Sequence, residues 1–195
     1  MISTLTVVND MLGLLGEAPI NDLDAFHPMV PRALAQLSTA NTTIQGDRWW
    51  FNTEFPTLVP QVGTGNILLP TDTLAVDSIQ RSPAVAQRGN RLYNLDDSTD
   101  VFTEEVKVRL QREVPFDDLP SNPRAYIAAV AKLAFQGTID GDQQKTGLLR
   151  EEVKLTHAIF NSEHIRNVRA NMLARPGVAL RLATIVGQRR LTRGW

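Results

Sequence analysis

The sequence contains no cysteine in its 195 residues. This absence excludes disulfides, thiolate metal sites and a cysteine nucleophile together. No apolar run approaches the roughly 18 residues of a membrane span, and residues 1–4 lack the positively charged and apolar regions of a signal peptide. We therefore expect no membrane association, and we expect the chain to fold in a cytoplasmic compartment. The hydrophobic share of 43% and the net charge of −1 are those of an ordinary soluble globular protein.

Histidine is scarce as well, with only His27, His157 and His164 in the chain. On one helix, His157 and His164 would point the same way but lie about 10 Å apart, which is too far for a shared metal ion. We interpret them as solvent-facing helix residues. The Gly-Thr-Gly sequence at residues 63–65 lacks the lysine of a phosphate-binding loop, and no Gly-x-Ser-x-Gly sequence occurs. The sequence therefore predicts no metal, no cofactor and no catalytic residue.

Carboxylates occur in adjacent pairs, but their spacing gives no catalytic geometry. A glycosidase needs two carboxylates that face each other across a substrate, whereas neighbours on a strand point to opposite faces. The stretch from Asp140 to Glu151 faintly resembles a calcium loop but has Lys145 where the sharp turn needs glycine. We expect Asp140 or Asp142 to cap a helix instead. The pairs are Asp96-Asp97, Glu104-Glu105, Asp117-Asp118 and Glu151-Glu152.

Acidic residues and lysine are absent from residues 166–195, which hold seven of the 20 basic side chains, all arginine. Residues 1–165 therefore carry 13 basic and all 21 acidic side chains, so that an acidic body of −8 precedes a basic end of +7. Apolar residues interleave with these arginines, and such a segment usually buries its apolar side chains against another molecule. The residues that we predict to bind a partner are Arg175, Arg181, Leu182, Ile185, Arg189, Arg190, Arg193 and Trp195.

The helical spacing of apolar residues predicts four helices. The first covers residues 4–15. The second covers residues 28–45 and tolerates Pro31 only in its first turn. The third, over residues 123–136, is rich in alanine and apolar nearly all round, which is typical of a buried helix. The fourth starts near residue 142 and runs, with or without a break, to about residue 173. The expected buried face of the first helix consists of Leu5, Val8, Leu12 and Leu15.

Between the second and third helices, the pattern changes to short runs broken by proline, glycine and asparagine. Residues 106–110 alternate between apolar and polar side chains, as a half-buried strand does. Gly89-Asn90 has the composition of a hairpin turn, and residues 63–66 have that of a loop. The predicted strands cover residues 50–55, 66–69, 74–80, 85–88, 91–95 and 105–111.

Two tryptophans and two phenylalanines fall within residues 49–55, where the helical pattern gives way to the strand pattern. Rings of this size bury large areas, so we expect them to hold the helical part and the sheet part together. The sequence therefore predicts an α+β fold: a helical bundle of about four helices with an inserted small antiparallel β-sheet or sandwich. We divide the chain into N-terminal helices at 1–48, an inserted β domain at 49–115, C-terminal helices at 116–174 and an extended basic C-terminal arm at 175–195.

Several short motifs follow one another over about residues 7–175, most of the chain. In this order and spacing they resemble the tail tubular protein A, or head–tail adaptor, family of short-tailed bacteriophages. The motifs are residues 7–12 and 15–19, which end in Gly-Glu-Ala-Pro; residues 46–52, which contain Trp-Trp-Phe-Asn; residues 68–70 and 91–94 in the sheet part; and residues 119–120 with 125–127 at the start of the third helix.

The resemblance implies a structural virion protein without catalytic residues or cofactors. Twelve copies would form a ring between the portal and the tail nozzle, around a channel through which packaged DNA passes without sequence-specific contact. The protein would be made in the host cytoplasm and reside in the tail or neck of the virion. The expected partners are further copies of the chain, the portal protein and the tail nozzle protein, and the arginine-rich segment would bind the portal or a neighbouring subunit.

Two other classes of function stay open. The first is a virion-associated glycan hydrolase that uses carboxylates. The second is a DNA-binding module that uses the arginine-rich C-terminus, although no helix-turn-helix, zinc or RNA-binding motif accompanies it. Binding of DNA by such a segment would weaken steeply with salt.

Overall fold

A computed structural model describes residues 2–24, 26–139 and 142–173 of the chain. These residues form four α-helices and six short antiparallel strands, which confirms the α+β class. The strands lie between the second and third helices in the chain, so the sheet interrupts the helical part as predicted. The helices are α1 (Thr4–Leu14), α2 (Val30–Gln45), α3 (Ser121–Ile139) and α4 (Gln143–Leu173), and a 3-10 turn (Phe116–Asp118) precedes α3. The strands are β1 (Thr53–Glu54), β2 (Thr57–Leu58), β3 (Thr73–Ser78), β4 (Val85–Arg88), β5 (Arg91–Asn94) and β6 (Val106–Arg112).

The ends of α1 are set by its local sequence. The Ser3 hydroxyl accepts a hydrogen bond from the Thr6 N–H at 3.2 Å and caps the first turn. Gly16 has a φ of 76°, in the left-handed region that glycine enters without strain. The Glu17 N–H then donates to the Leu12 carbonyl at 3.1 Å, which closes the helix with a Schellman turn. The helix therefore ends where the sequence predicts.

The helical core is built around α3, which packs against α1, α2 and α4. Its alanines allow close approach of the neighbouring helices, and Phe135 is fully buried among them. The predicted buried face of α1 was wrong in part. Val7 and Met11 are fully buried, whereas Leu5 and Leu15, which we expected on that face, are only half-buried. Val8 and Leu12 are fully buried as predicted, so the buried face consists of two pairs of residues four apart, Val7 with Met11 and Val8 with Leu12.

The helix α4 is a single helix of 31 residues without a break. The Asp142 carboxylate accepts hydrogen bonds from the Gln144 and Lys145 N–H groups at 2.8 and 3.1 Å, so Asp142 caps α4 as predicted. Asp140, the other candidate cap, lies outside the described residues. Phe160 is fully buried on the inner face of the helix.

The sheet is organised around β6. It pairs antiparallel with β3 on one side, and with β1 and then β2 on the other. Val106, Val108 and Leu110 point to the same face of β6 and are buried, which confirms the alternation over residues 106–110. With Ile67 and Leu92 they belong to a second hydrophobic core, separate from the helical one.

The β4–β5 hairpin turns at Gly89, where φ is 60°, so the predicted turn is confirmed. The expected strand over residues 66–69 forms only isolated bridges, from Asn66 to Val101 and from Leu68 to Arg91. Pro70 follows directly and has no N–H with which to extend a ladder. The expected strand over residues 50–55 was also too long, because residues 50–52 form a turn before β1.

Candidate assembly surfaces

The aromatic segment belongs to the helical core. The Trp49 ring lies 4.1 Å from the Phe160 ring of α4, centroid to centroid, and the Trp50 ring lies 5.8 Å from it. Phe51 meets Trp50 edge to face at 5.2 Å, a favourable arrangement for aromatic pairs. Tyr126 of α3 completes the cluster at 5.5 Å from Phe160. These rings fix the segment after α2 onto α3 and α4. Our expectation that the rings of residues 49–55 join the helical part to the sheet part was wrong, because Trp49, Trp50 and Phe51 pack on the helical core and Phe55 is 63% exposed.

His164 is part of the same cluster, so its predicted solvent-facing position was wrong. Its ring meets Trp49 edge to face at 5.0 Å, and its Nδ1 atom is buried without a hydrogen-bond partner. Burial lowers the pKa of His164 below its usual value because desolvation disfavours the imidazolium. His157 is exposed as predicted and lies 5.1 Å from the Tyr126 ring. The pKa of Tyr126 is raised, chiefly by burial.

Buried side-chain amides attach the sheet to the helices. A helix leaves its last four carbonyls without intrahelical partners, and the Gln45 carbonyl at the end of α2 is one of these. It accepts hydrogen bonds from Asn52 Nδ2 at 2.8 Å and from Gln111 Nε2 of β6. Gln111 Nε2 also donates to the Asp47 carbonyl at 2.7 Å. The end of α2 is thereby joined to the central strand of the sheet.

The side chain of Gln45 fixes the return of the chain from the sheet to the helices. Its Oε1 accepts from the Val114 N–H at 2.8 Å, and its Nε2 donates to the Val114 carbonyl at 2.8 Å and to Asn41 Oδ1 at 2.9 Å. Gln45 is completely buried. The chain passes from the helices to the sheet after α2 and returns to the helices after β6. Both connecting segments are hydrogen-bonded to Gln45. We name Asn41, Gln45, Asn52 and Gln111 the amide junction.

One face of α4, next to its buried face, carries exposed apolar side chains. Leu148, Leu155 and Ile159 are 70%, 63% and 46% exposed. Their spacings of seven and four residues place them along one line of the helix, and the exposed Ser162 continues that line. We name these four residues the outer stripe. A shallow groove beside Ile159 extends it toward Arg166. Within the described residues, the outer stripe has no covering element.

A second group of exposed apolar residues lies in the sheet part. Phe55 and Val59, at the turns around β2, are 63% and 68% exposed, and Val62 in the following loop is fully exposed. The sheet therefore presents apolar side chains at a place that is distinct in sequence from the outer stripe.

Members of the pairs Asp96-Asp97 and Asp117-Asp118 have structural partners. The Asp117 carboxylate accepts from the N–H and hydroxyl of Thr4, and Asp96 Oδ2 accepts from the Ala84 N–H at 3.0 Å. In the described part of the chain, no three His, Cys, Asp or Glu side chains come together in a way that could hold a metal ion. Nor does any described helix combine the length and apolar character needed to cross a bilayer.

The residues that we predicted to bind a partner all lie outside the described residues. They are Arg175, Arg181, Leu182, Ile185, Arg189, Arg190, Arg193 and Trp195.

The structure adds two features that sequence reasoning missed. The outer stripe had a signal in the seven-residue spacing of Leu148 and Leu155. Gln45 had none, because its partner Val114 is 69 residues away in the chain.

Two comparisons with known proteins point the same way. A family model described as tail tubular protein matches residues 5–170. Tail tubular protein A of Klebsiella phage KP34 is 24% identical over 166 residues, which cover 85% of this chain and 88% of that protein. The family match runs from α1 into α4 and leaves residues 171–195 outside.

Proposed function

The chain belongs to the tail tubular protein family, and on that premise we propose that it is the ring-forming adaptor between the portal and the tail nozzle. Membership in the family makes it a structural protein of a phage tail, and therefore a component of the virion. In the adaptor role that we propose, twelve copies of the chain surround the channel through which DNA leaves the head. The chain is made in the host cytoplasm before it assembles.

The observation that carries this proposal is the outer stripe of α4. Scattered exposed apolar residues are ordinary, but a line of them along a helix usually marks a contact with another element. A closed ring is a heterologous assembly, in which one surface of each subunit fits a different surface of the next. The outer stripe supplies one such surface on a subunit whose two layers are held rigidly by the amide junction.

The exposed apolar residues of the sheet part form a second contact surface. We propose that Phe55, Val59 and Val62 face the tail nozzle, since the inserted sheet is the part of the subunit most separate from the helical core. The helical layer then forms the body of the ring. The proposed division at 1–48, 49–115, 116–174 and 175–195 matches these roles.

The arginine-rich segment supplies the remaining surface. We propose that residues 175–195 extend from their own subunit and dock on a neighbouring subunit or on the portal, ordering on assembly. Their charge is opposite to that of the acidic body, which favours association between copies.

The test is the mass of the purified chain in solution, alone and with purified portal. Twelve copies of the 21.6-kDa chain give a ring of about 259 kDa. We expect a complex with the portal that contains the chain in multiple copies. A chain that stays at the monomer mass at high concentration and with portal present would refute the adaptor role.

A further inference from the structure

We propose that the outer stripe of α4 is the acceptor for the segment 174–195 of a neighbouring copy. The proposal rests on the adaptor function above, because it requires copies of the chain to be in contact. In this contact, an apolar helix face of one subunit binds a basic and partly apolar segment of the next subunit.

The acceptor side has the pattern of a helix that packs against a further element. Leu148, Leu155 and Ile159 repeat at the spacing of a helix-packing seam. The inner face of α4 is already used, because Phe160 is buried in the aromatic cluster. The outer stripe lies about 100° around the helix from this buried face, and within the described residues it is open to a partner from another chain.

Charge on the two sides is complementary. Glu151 and Glu152 border the outer stripe between Leu148 and Leu155. Each pairs with a lysine at 2.6 Å, Glu151 with Lys154 and Glu152 with Lys132. The Glu151–Lys154 pair is exposed and therefore weak, so an incoming arginine can share Glu151 or replace Lys154 at little cost. Lys132 is largely buried and keeps its contact with Glu152.

The donor side has the matching composition. Residues 174–195 contain five arginines and no acidic residue. Val178, Leu182 and Ile185 have the i, i+4, i+7 spacing that would place three apolar side chains on one side of a helix. An apolar line flanked by arginines fits an apolar line flanked by carboxylates.

Reach and charge favour a neighbouring copy over the segment's own subunit. Leu148 lies 25 residues before Leu173, about 37 Å along α4. A helix of 18 residues, the length of 178–195, spans about 27 Å, so a helical segment folded back from Leu173 would reach Leu155 and Ile159 but not Leu148. Folding back would also bring the first arginines of the segment beside Arg166, which lies at the near end of the outer stripe. A segment from the next copy has neither constraint.

The cysteine-free sequence allows a clean cross-linking test in the full chain. One preparation carries Ser162→Cys on the outer stripe, and a second, with a different tag, carries Gln188→Cys in the donor segment. The two are mixed, and a short bismaleimide joins thiols that lie close together. Ser38→Cys replaces Ser162→Cys as the matched control, because Ser38 is an exposed serine on another helix. The mass of the mixture before cross-linking records whether copies associate.

We expect the Ser162→Cys and Gln188→Cys chains to cross-link to each other with a yield at least about tenfold above the Ser38→Cys control, since docking raises the effective concentration of the two thiols. Associated copies without this cross-link would overturn the acceptor assignment and leave the adaptor function standing. A third preparation carries Ser162→Cys and Gln188→Cys in one chain. A cross-link within this chain but not between the two mixed chains would show docking within a subunit, which also overturns the acceptor assignment. The absence of association alone and with portal would overturn both proposals.

A second measurement does not depend on linker geometry. Leu155→Ser removes a large apolar side chain from the outer stripe and should weaken self-association by about tenfold or more. Leu95→Ser is the matched control, because Leu95 is also an exposed leucine but lies next to β5 in the sheet part, on no proposed contact surface. Equal association of wild type and Leu155→Ser would contradict the proposal.

Discussion

Replacement of Gln45 tests whether the amide junction holds the two layers together. Gln45→Met keeps most of the side-chain volume but removes three hydrogen bonds of 2.8–2.9 Å. The Val114 carbonyl keeps a second donor, Asn41 Nδ2 at 3.2 Å, whereas the Val114 N–H and Asn41 Oδ1 lose their partner. A buried polar group without a partner costs about 1–3 kcal/mol, so we expect Gln45→Met to lower the free energy of unfolding by about 2–4 kcal/mol.

Gln45→Ala should cost more than Gln45→Met. Gln45→Ala removes the same hydrogen bonds and also leaves a cavity, and the loss of a buried side chain of this size lowers the free energy of unfolding by a further ~2–5 kcal/mol. We therefore expect the free energy of unfolding to be highest for wild type, lower for Gln45→Met and lowest for Gln45→Ala. The difference between wild type and Gln45→Met measures the polar contribution, and the difference between the two variants measures the packing contribution.

The assay is urea unfolding followed by circular dichroism, at a concentration where the chain is monomeric. The midpoint should shift while the slope with urea stays constant, as it does when stability alone changes. Gln144→Met is the control, because Gln144 is exposed on α4 and should stay within about 0.5 kcal/mol of wild type. If Gln45→Met were as stable as wild type, water or a shift of the chain would be replacing the amide, and the junction would not be essential.

Three further predictions concern single residues. Since burial lowers the folded-state pKa of His164 below the unfolded value of about 6.5, the stability it contributes is full above that pH and is lost as the pH falls toward the folded pKa. His164→Phe should therefore reduce the loss of thermal stability between pH 7 and pH 5, and His157→Gln should not; equal acid sensitivity of wild type and His164→Phe would contradict this. Gly65→Ala should destabilise by about 1–3 kcal/mol, because φ is +70° and a Cβ would lie 2.7 Å from Val101 Cγ1; an unchanged melting temperature would show that the loop adapts. Asp142→Ala should cost about 1 kcal/mol through loss of the α4 cap, and Asp142→Asn, which can still accept, should restore most of it in the same melting experiment.

Features with local causes could be predicted from the sequence. Ser3 and Gly16 bound α1 through their own backbone contacts, and Pro31 fits in the first turn of α2 as expected. The alternation of β6 likewise follows from one buried face. The order of helices, sheet and helices followed from these local patterns, and with it the α+β class.

Features that depend on distant partners could not be predicted. His164 looked solvent-facing because nothing near it in sequence reveals that Trp49 covers it. The aromatic residues 49–51 predicted a buried cluster, but their sequence does not indicate whether they join the helical core or the core of the sheet part. The prediction of a strand over residues 66–69 was wrong because strand pairing depends on which segment lies alongside, and this stretch bridges to two different segments, at Val101 and at Arg91. The domain boundaries and the partner-binding role of residues 175–195 stay predictions.

The most direct test of the account compares the full chain with a chain that lacks residues 176–195. Within the described residues, both hydrophobic cores consist of residues before 161, so we expect the shortened chain to keep its circular dichroism spectrum and melting behaviour. The measurement is the mass of each chain, alone and with purified portal. We expect the full chain to form a multi-copy assembly with the portal, and we expect the shortened chain to remain a folded monomer. A shortened chain that assembles as fully as the complete one would contradict the claim that the arginine-rich segment joins one subunit to the next molecule.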